Sequence, residues 1–162
     1  MSLQFTYFKT PIGFAKITGD KNGIQSISVL DEVDITNYNT DEIPECLQKC
    51  VTQLDQYFNG KRTSFNLKLN PQGTSFQKKV WQELLNIPYN TTRTYLEQTK
   101  ALGDVKAIRA VASANGKNPI WIVIPCHRVI GSDGSLTGYA GGIWRKKWLL
   151  AHENPVKQQS LF

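Results

Sequence analysis

Residues 73–88, GTSFQKKVWQELLNIP, and residues 93–114, RTYLEQTKALGDVKAIRAVASA, decide the architecture of the second half of the chain. Thr74 or Ser75 can cap a helix on whose face Phe76, Val80, Trp81, Leu84 and Leu85 recur until Pro88 closes it. Two shorter helical patterns follow, Tyr95 to about Leu102 and Val105 to about Ala114, separated by Gly103-Asp104. Short helices around a glycine-containing turn suit a helix-turn-helix, although any pair of packed helices gives similar spacing.

Working outward toward the N-terminus, Phe5 and Tyr7 alternate with polar neighbours. Pro11-Ile12-Gly13 reads as a turn, and Asn22-Gly23 punctuates before Ile24, Ile27 and Val29, so a small antiparallel sheet is expected. From Ile43 to Phe58 apolar residues recur at three- and four-residue spacing until Asn59-Gly60, the signature of an amphipathic helix. Ser64 to Leu69 alternates and predicts a further strand. Asn70-Pro71-Gln72-Gly73 then marks a domain boundary. Toward the C-terminus, Ile120 to Ile124 reads as a short buried strand ending on Pro125, followed by a glycine-rich loop from Gly131 to Gly142 and a helix from Trp144 to His152. The expected class is α+β. Residues 1–70 are expected to form an N-terminal sheet-and-helix structural domain, and residues 71–162 a helical C-terminal domain with a helix-turn-helix.

A chain of 162 residues, 40% of them hydrophobic, can bury a real core. No stretch approaches a membrane span, and MSLQFTYFKT lacks the basic-then-apolar pattern of a signal peptide, so a cytoplasmic, nucleoid-associated protein is expected. Residues 1–70 carry 7 Lys/Arg and 8 Asp/Glu, net −1, whereas residues 71–162 carry 12 and 5, net +7. The basic surplus offers a docking face for nucleic acid, the alternative being a solvated basic surface. Three cysteines argue against a disulfide framework and for thiol chemistry.

Pro125-Cys126-His127-Arg128 is the sharpest feature, because an apolar run delivers a thiol and an imidazole into a basic segment. A thiol reacts as its thiolate, which neighbouring cations and proton acceptors favour. On these residues alone, a small buried cysteine beside a satisfied histidine is the commoner reading. Adjacent residues of a strand face opposite ways, so joint action of Cys126 and His127 requires a turn after Pro125. Either His152 or Glu153 can orient His127. Cys46 and Cys50 share a helix face; a zinc site with Cys126 and His127 would span two domains and lacks short-range ligand pairs, so both read as core packing. No metal and no cofactor are expected.

The segments Asn118-Pro119, Pro125-Cys126-His127-Arg128-Val129, Gly131, Gly138-Tyr139-Ala140-Gly141-Gly142 and Trp148-Leu149-Leu150-Ala151-His152-Glu153 resemble those of the O6-alkylguanine-DNA alkyltransferases, the methylated-DNA–protein-cysteine S-methyltransferases. The resemblance runs from about Gly73 to Glu153; residues 1–70 fit only in length and layout. It implies that Cys126 accepts the alkyl group, that His127 reaches it through a water, and that Glu153 holds His127. It further assigns Asn118 to the turn before the active site, and Tyr95 to a hydrogen bond with the guanine and to rotation of the nucleotide. Arg109 fills the gap left in the base stack, with Lys106, Ala110 and Ser132 also on the DNA. Tyr139, Val129, Trp121 and Gly138 line the base pocket. The implied partner is double-stranded DNA carrying O6-alkylguanine, with O4-methylthymine as a further substrate. The implied protein acts as a monomer and only once, since a thioether is not hydrolysed.

Three features depart from the family pattern or qualify it. Trp121 is bulky where a smaller residue is expected near the pocket mouth, the alternative being a core tryptophan that alternates away. Asp104 places a negative charge before the recognition helix, where it would weaken phosphate contact. The first domain lacks the Cys/His set of zinc-bearing relatives. Three other functions stay open. A non-enzymatic sensor would carry a tryptophan in place of Cys126, a cysteine hydrolase would need an oxyanion hole and turn over, and a regulator would show sequence preference without covalent change.

Overall fold

The computed structural model describes residues 2–31, 42–136 and 138–155. Residues 32–41 of the expected first domain, and Thr137 of the expected glycine-rich loop, lie outside the described residues. The chain divides into two compact units, Met1–Gln72 with Pro119–Trp121, and Gly73–Asn118 with Ile122–Phe162.

In the first unit β1 (Gln4–Thr10), β2 (Gly13–Asp20) and β3 (Gly23–Leu30) form an antiparallel sheet in sequence order. Its turns are closed by short polar side chains: Thr10 Oγ1 donates to the Gly13 carbonyl at 2.6 Å, and Asp20 Oδ1 accepts from the Asn22 N–H at 2.8 Å. The helix α1 (Glu45–Phe58) starts two residues later than its apolar pattern because Pro44 holds an extended ψ of 139°. It packs on the sheet through Leu47, Cys50, Leu54 and Tyr57, which meet a core holding Ala15, Ile17, Ile24 and Ile27. Each aliphatic side chain fully buried there contributes about 1.5–3 kcal/mol. Cys46 is half-buried and donates to Gln4 Oε1 at 3.3 Å, so only Cys50 of the pair is a core residue. At the C-terminus of α1, Gly60 takes φ +73°. This allows Gly60 N–H to reach Tyr57 O and Lys61 N–H to reach Gln56 O, a Schellman closure.

Two expected strands are not regular strands. Among the described residues Ser64–Leu69 contributes a single parallel bridge, Leu69 with Ile24. Its backbone is satisfied instead by the buried amide of Gln53, which donates to Asn66 O at 3.1 Å and accepts from Asn66 N–H at 2.9 Å. Ile120 likewise forms one bridge, with Ile27, after which the chain turns and Ile122 adopts φ +71°. All five side chains from Ile120 to Ile124 are buried, which a one-faced strand would not allow. A β-branched residue at positive φ costs on the order of 1–3 kcal/mol and marks a position fixed by its surroundings.

In the second unit α2 (Ser75–Leu84) starts on a capping box, Gln77 N–H donating to Thr74 Oγ1 at 3.1 Å and Thr74 N–H to Gln77 Oε1 at 2.9 Å. Val80, Trp81 and Leu84 are buried, whereas Phe76 and Leu85, expected on the same face, are exposed. A second capping box, Thr94 with Glu97, starts α3 (Tyr95–Ala101). A turn at Leu102-Gly103-Asp104 and a 3-10 turn (Val105–Ala107) lead to α4 (Ile108–Gly116), completing the helix-turn-helix. Asp104 caps that 3-10 turn, accepting from Lys106 N–H at 3.0 Å, so its charge serves the chain locally. The reciprocal amide pair Gln98–Asn115, at 2.7 and 2.8 Å, ties α3 to α4 inside the core, and Trp81 Nε1 donates to Ala114 O at 2.8 Å to tie α2 to α4. A two-residue parallel pairing of β4 (Arg93–Thr94) with β5 (Val129–Ile130) and the final helix α5 (Ile143–Glu153) complete the unit.

Candidate active site

Pro125 ends the apolar run, and Cys126–Arg128 form a single 3-10 turn. With three residues per turn, successive side chains diverge by about 120° rather than 180°, so the opposite-face placement that a strand would impose on Cys126 and His127 does not hold here. Asn118 braces this turn from outside. Its Nδ2 donates to the Ile124 carbonyl at 2.7 Å and to Cys126 Sγ at 3.2 Å.

His127 is fully buried, and its Nε2 lies 2.7 Å from Glu153 Oε2 on α5. The same carboxylate receives Arg128 Nε at 2.8 Å, Arg128 Nη2 at 3.1 Å and the Asn90 N–H at 3.2 Å. Arg128 Nη1 donates to Ile87 O at 2.8 Å, so the guanidinium is anchored in turn. Burial opposes the charge on Glu153, but the hydrogen bonds from His127 and Arg128 and the Arg128 charge outweigh it and hold the carboxyl well below the usual carboxylate range. Burial also pushes His127 down, more than Glu153 pulls it up, so the imidazole is neutral near pH 7. A carboxylate on Nε2 fixes the tautomer with its proton there and leaves the Nδ1 lone pair bare. Nδ1 has no hydrogen-bond partner among the described residues.

Burial pushes the Cys126 thiol up, while the Asn118 hydrogen bond and the charge of Lys146 pull it back. Lys146 is itself buried, which lowers its affinity for a proton, and the Cys126 charge restores part of it. Its Nζ lies 5.7 Å from the Tyr95 ring centroid and 6.0 Å from that of Tyr139. One cation thus gathers the thiol and two of the expected pocket aromatics.

The structure therefore brings Cys126, His127, Asn118 and Glu153 together, with Tyr95 and Tyr139 around Lys146. Val129 is buried in β5, and a Cβ on Gly138 would lie 3.8 Å from the Tyr95 hydroxyl. Lys106, Arg109 and Ala110 are exposed on the 3-10 turn and α4, and Ser132 is exposed after β5. Trp121 is the exception. It groups with the first unit, where its indole lies 6.3 Å from the Phe58 ring and its backbone N–H donates to Ile27 O at 3.0 Å. Of the two expectations for Trp121, this placement favours the core tryptophan over the pocket wall. Of the glutamate and histidine that could orient His127, Glu153 does so, while His152 stacks on Trp148 at 5.0 Å.

Sequence reasoning missed Lys146 and the bidentate role of Arg128. Lys146 sits in Arg145-Lys146-Lys147, which looks like a solvated run. Its helical register carried the signal: positions 146, 149 and 153 share the inward face with buried Leu149 and Glu153. Among the described residues no group of His, Cys, Asp and Glu could hold a metal ion, and no helix is long and apolar enough to cross a membrane.

Two family models cover nearly all the chain: the DNA binding domain of 6-O-methylguanine DNA methyltransferase over residues 75–155, and the ribonuclease-like domain of the same proteins over residues 3–71. The methylated-DNA–protein-cysteine methyltransferase of Methanosarcina barkeri is 44% identical over 153 residues, spanning 93% of this chain and 97% of that protein. Its Haemophilus influenzae counterpart is 40% identical, spanning 94% and 87%. The crystal structure of the Mycobacterium tuberculosis O6-methylguanine methyltransferase superposes with a TM-score of 0.83 at 40% identity, covering 95% of this chain and 94% of that one. The M. tuberculosis OGT in complex with DNA gives 0.83 at 42%, covering 93% and 92%. A thiol braced by an asparagine, beside an imidazole locked by a carboxylate, is thus set in a scaffold shared with those proteins from end to end, and the chain belongs to the 6-O-methylguanine DNA methyltransferase family.

Proposed function

We propose that this protein repairs DNA by direct reversal, accepting the alkyl group of O6-alkylguanine on Cys126 in a single turnover. The observation that carries this reading is the buried relay in which Glu153 fixes the His127 tautomer and Asn118 donates to the Cys126 sulfur. His127 Nδ1 takes the thiol proton, directly or through water, and the thiolate is held by the Asn118 N–H and the Lys146 charge. The sulfur attacks the alkyl carbon; the C–S bond forms as the C–O6 bond breaks, and the electron pair passes to the guanine. The Tyr95 hydroxyl donates a hydrogen bond as that charge develops, and a proton from the relay neutralises the base. The thioether cannot be hydrolysed, so each molecule acts once. O4-methylthymine offers a comparable O-alkyl carbon and is a second substrate.

An alkyl carbon stacked in a duplex is out of line for the thiolate, so the nucleotide must rotate out, at a cost of a few kcal/mol. Exposed Arg109 on α4 fills the gap, and the small residues Ala110, Ala112 and Ser113 let the helix approach a groove closely. Lys106 and Ser132 serve the flanking phosphates. Residues 71–162 carry transfer and DNA binding, residues 1–70 give structural support, and the protein works as a monomer on the nucleoid.

The test is to incubate the protein with an O6-methylguanine duplex and weigh it intact. One added methyl group, located on Cys126 and absent from Cys126→Ser, supports the reading. Unchanged mass with damage-selective binding would indicate a sensor instead, and repeated product release a hydrolase.

A further inference from the structure

We propose that Arg145 is a positioning residue that latches the loop 138–142 to the first turn of α5 and thereby sets how well the base pocket holds its ligand. This rests on reading Cys126 as the alkyl acceptor. Arg145 is only 6% exposed, although it lies in a run of three cations at a helix start. Its guanidinium stacks 4.4 Å from the ring centroid of Trp144, and its Nη1 donates to the Gly141 carbonyl at 3.0 Å. Trp144 is 54% exposed, a large indole that gains little from burial and is held in place by its neighbours.

Those neighbours belong to the loop. Gly142 takes φ +90°, and a Cβ there would lie 3.3 Å from Trp144 Cδ1, so the indole edge rests on the Gly142 backbone while the guanidinium covers its face. Gly142 N–H donates to Tyr139 O at 3.0 Å, and Gly142 O accepts from the N–H groups of Arg145 and Lys146 at 3.2 Å. Tyr139 and Gly138, at the other end of the loop, stand beside Lys146 and Tyr95. Freeing Gly141 therefore moves the pocket aromatic without touching the thiol, its asparagine or the His127–Glu153 pair.

Such a latch matters most for a ligand that has nothing but the pocket to hold it. A free O6-benzylguanine base depends wholly on the position of the loop, whereas a damaged duplex is also gripped through its phosphates. The experiment compares Arg145→Ala, Arg145→Lys and Trp144→Ala with the unaltered protein for alkylation of Cys126 by free O6-benzylguanine and by saturating O6-methylguanine duplex. The pH profile and urea midpoint of each are recorded. Arg145→Ala should slow the free base about tenfold and the duplex about twofold, with an unchanged pH profile, since only ligand placement is lost. Arg145→Lys should rescue little, because an ammonium lacks the flat stacking face and the fork. Trp144→Ala, at an exposed position, should show the same bias and decides the matter if Arg145→Ala does not fold. Equal losses on both substrates, losses that simply track the urea midpoint, or full rescue by lysine would overturn the latch. Failure of the unaltered protein to be alkylated on Cys126 would overturn the underlying reading, and it is visible before any variant is made.

Discussion

His127 Nε2 and Glu153 Oε2 lie 2.7 Å apart with both side chains withdrawn from solvent, and Arg128 closes on the same carboxylate through two nitrogens. Glu153→Gln keeps the shape but removes the charge, leaving the Arg128 guanidinium buried and uncompensated. Breaking a buried pair from one side costs about 3–5 kcal/mol. The urea midpoint should fall accordingly, and transfer should slow because the amide no longer dictates the His127 tautomer. A variant with the stability and rate of the parent would show that the carboxylate organises neither.

Acid should destabilise the protein in two stages. His127 and Glu153 both have folded-state proton affinities below their ordinary values, so in each case the unfolded chain binds the proton more readily. The stability they contribute is present above the unfolded pKa and is lost as pH falls toward the folded one. For His127 the loss begins below about 6.5, and for Glu153 below about 4.5. Urea midpoints measured from pH 8 down to 5 should decline, and His127→Gln should flatten the decline in that range. A midpoint that rises on acidification would contradict the assignment of a neutral, buried His127.

The elements with strong local signals were legible in the sequence: the α1 and α2 stripes, the hairpin turns and the glycine turn between α3 and α4. The pairing of Asn118 with Cys126 and of Glu153 with His127 was legible through motif resemblance. What escaped depended on partners distant in sequence. Gln53 gives Asn66 both of its backbone hydrogen bonds, which makes a strand partner for Ser64–Leu69 unnecessary. An unbroken apolar run such as Ile120–Ile124 tells of burial but not of path, so the left-handed turn at Ile122 was invisible. Lys146 escaped because a cation among cations looks solvated until helical register is weighed against it.

Lys146→Met retains the length and bulk of the side chain and removes its charge from the thiolate. Transfer at neutral pH should slow about tenfold, a change of ~1.4 kcal/mol in barrier height. The rate should recover as pH rises, because the Cys126 thiol would then need a more alkaline medium to ionise. A uniform loss at every pH would mean that Lys146 acts through packing alone.

Arg109 lies exposed on α4. Arg109→Ala should slow repair of a duplex at least about tenfold while leaving reaction with a free alkylguanine base almost untouched, because only the duplex has a stack to support. Binding of undamaged duplex should weaken with added salt and show little sequence preference. Equal losses on duplex and free base would assign Arg109 to something other than filling the stack.

Trp121 offers the sharpest separation between pocket and core. Its indole is buried against Phe58, and its Nε1 has no hydrogen-bond partner among the described residues, so what it contributes is apolar packing. Trp121→Ala should therefore cost roughly 3–5 kcal/mol of stability. Trp121→Phe, which keeps a ring and forfeits no hydrogen bond seen among the described residues, should cost markedly less. Neither change should alter the ratio of rates with O6-benzylguanine and O6-methylguanine. That ratio and the urea midpoint can be measured on the same preparations. A rise in relative benzyl reactivity in the alanine variant, with stability intact, would return Trp121 to the alkyl pocket; a lowered midpoint with a constant ratio places it in the core of the first unit.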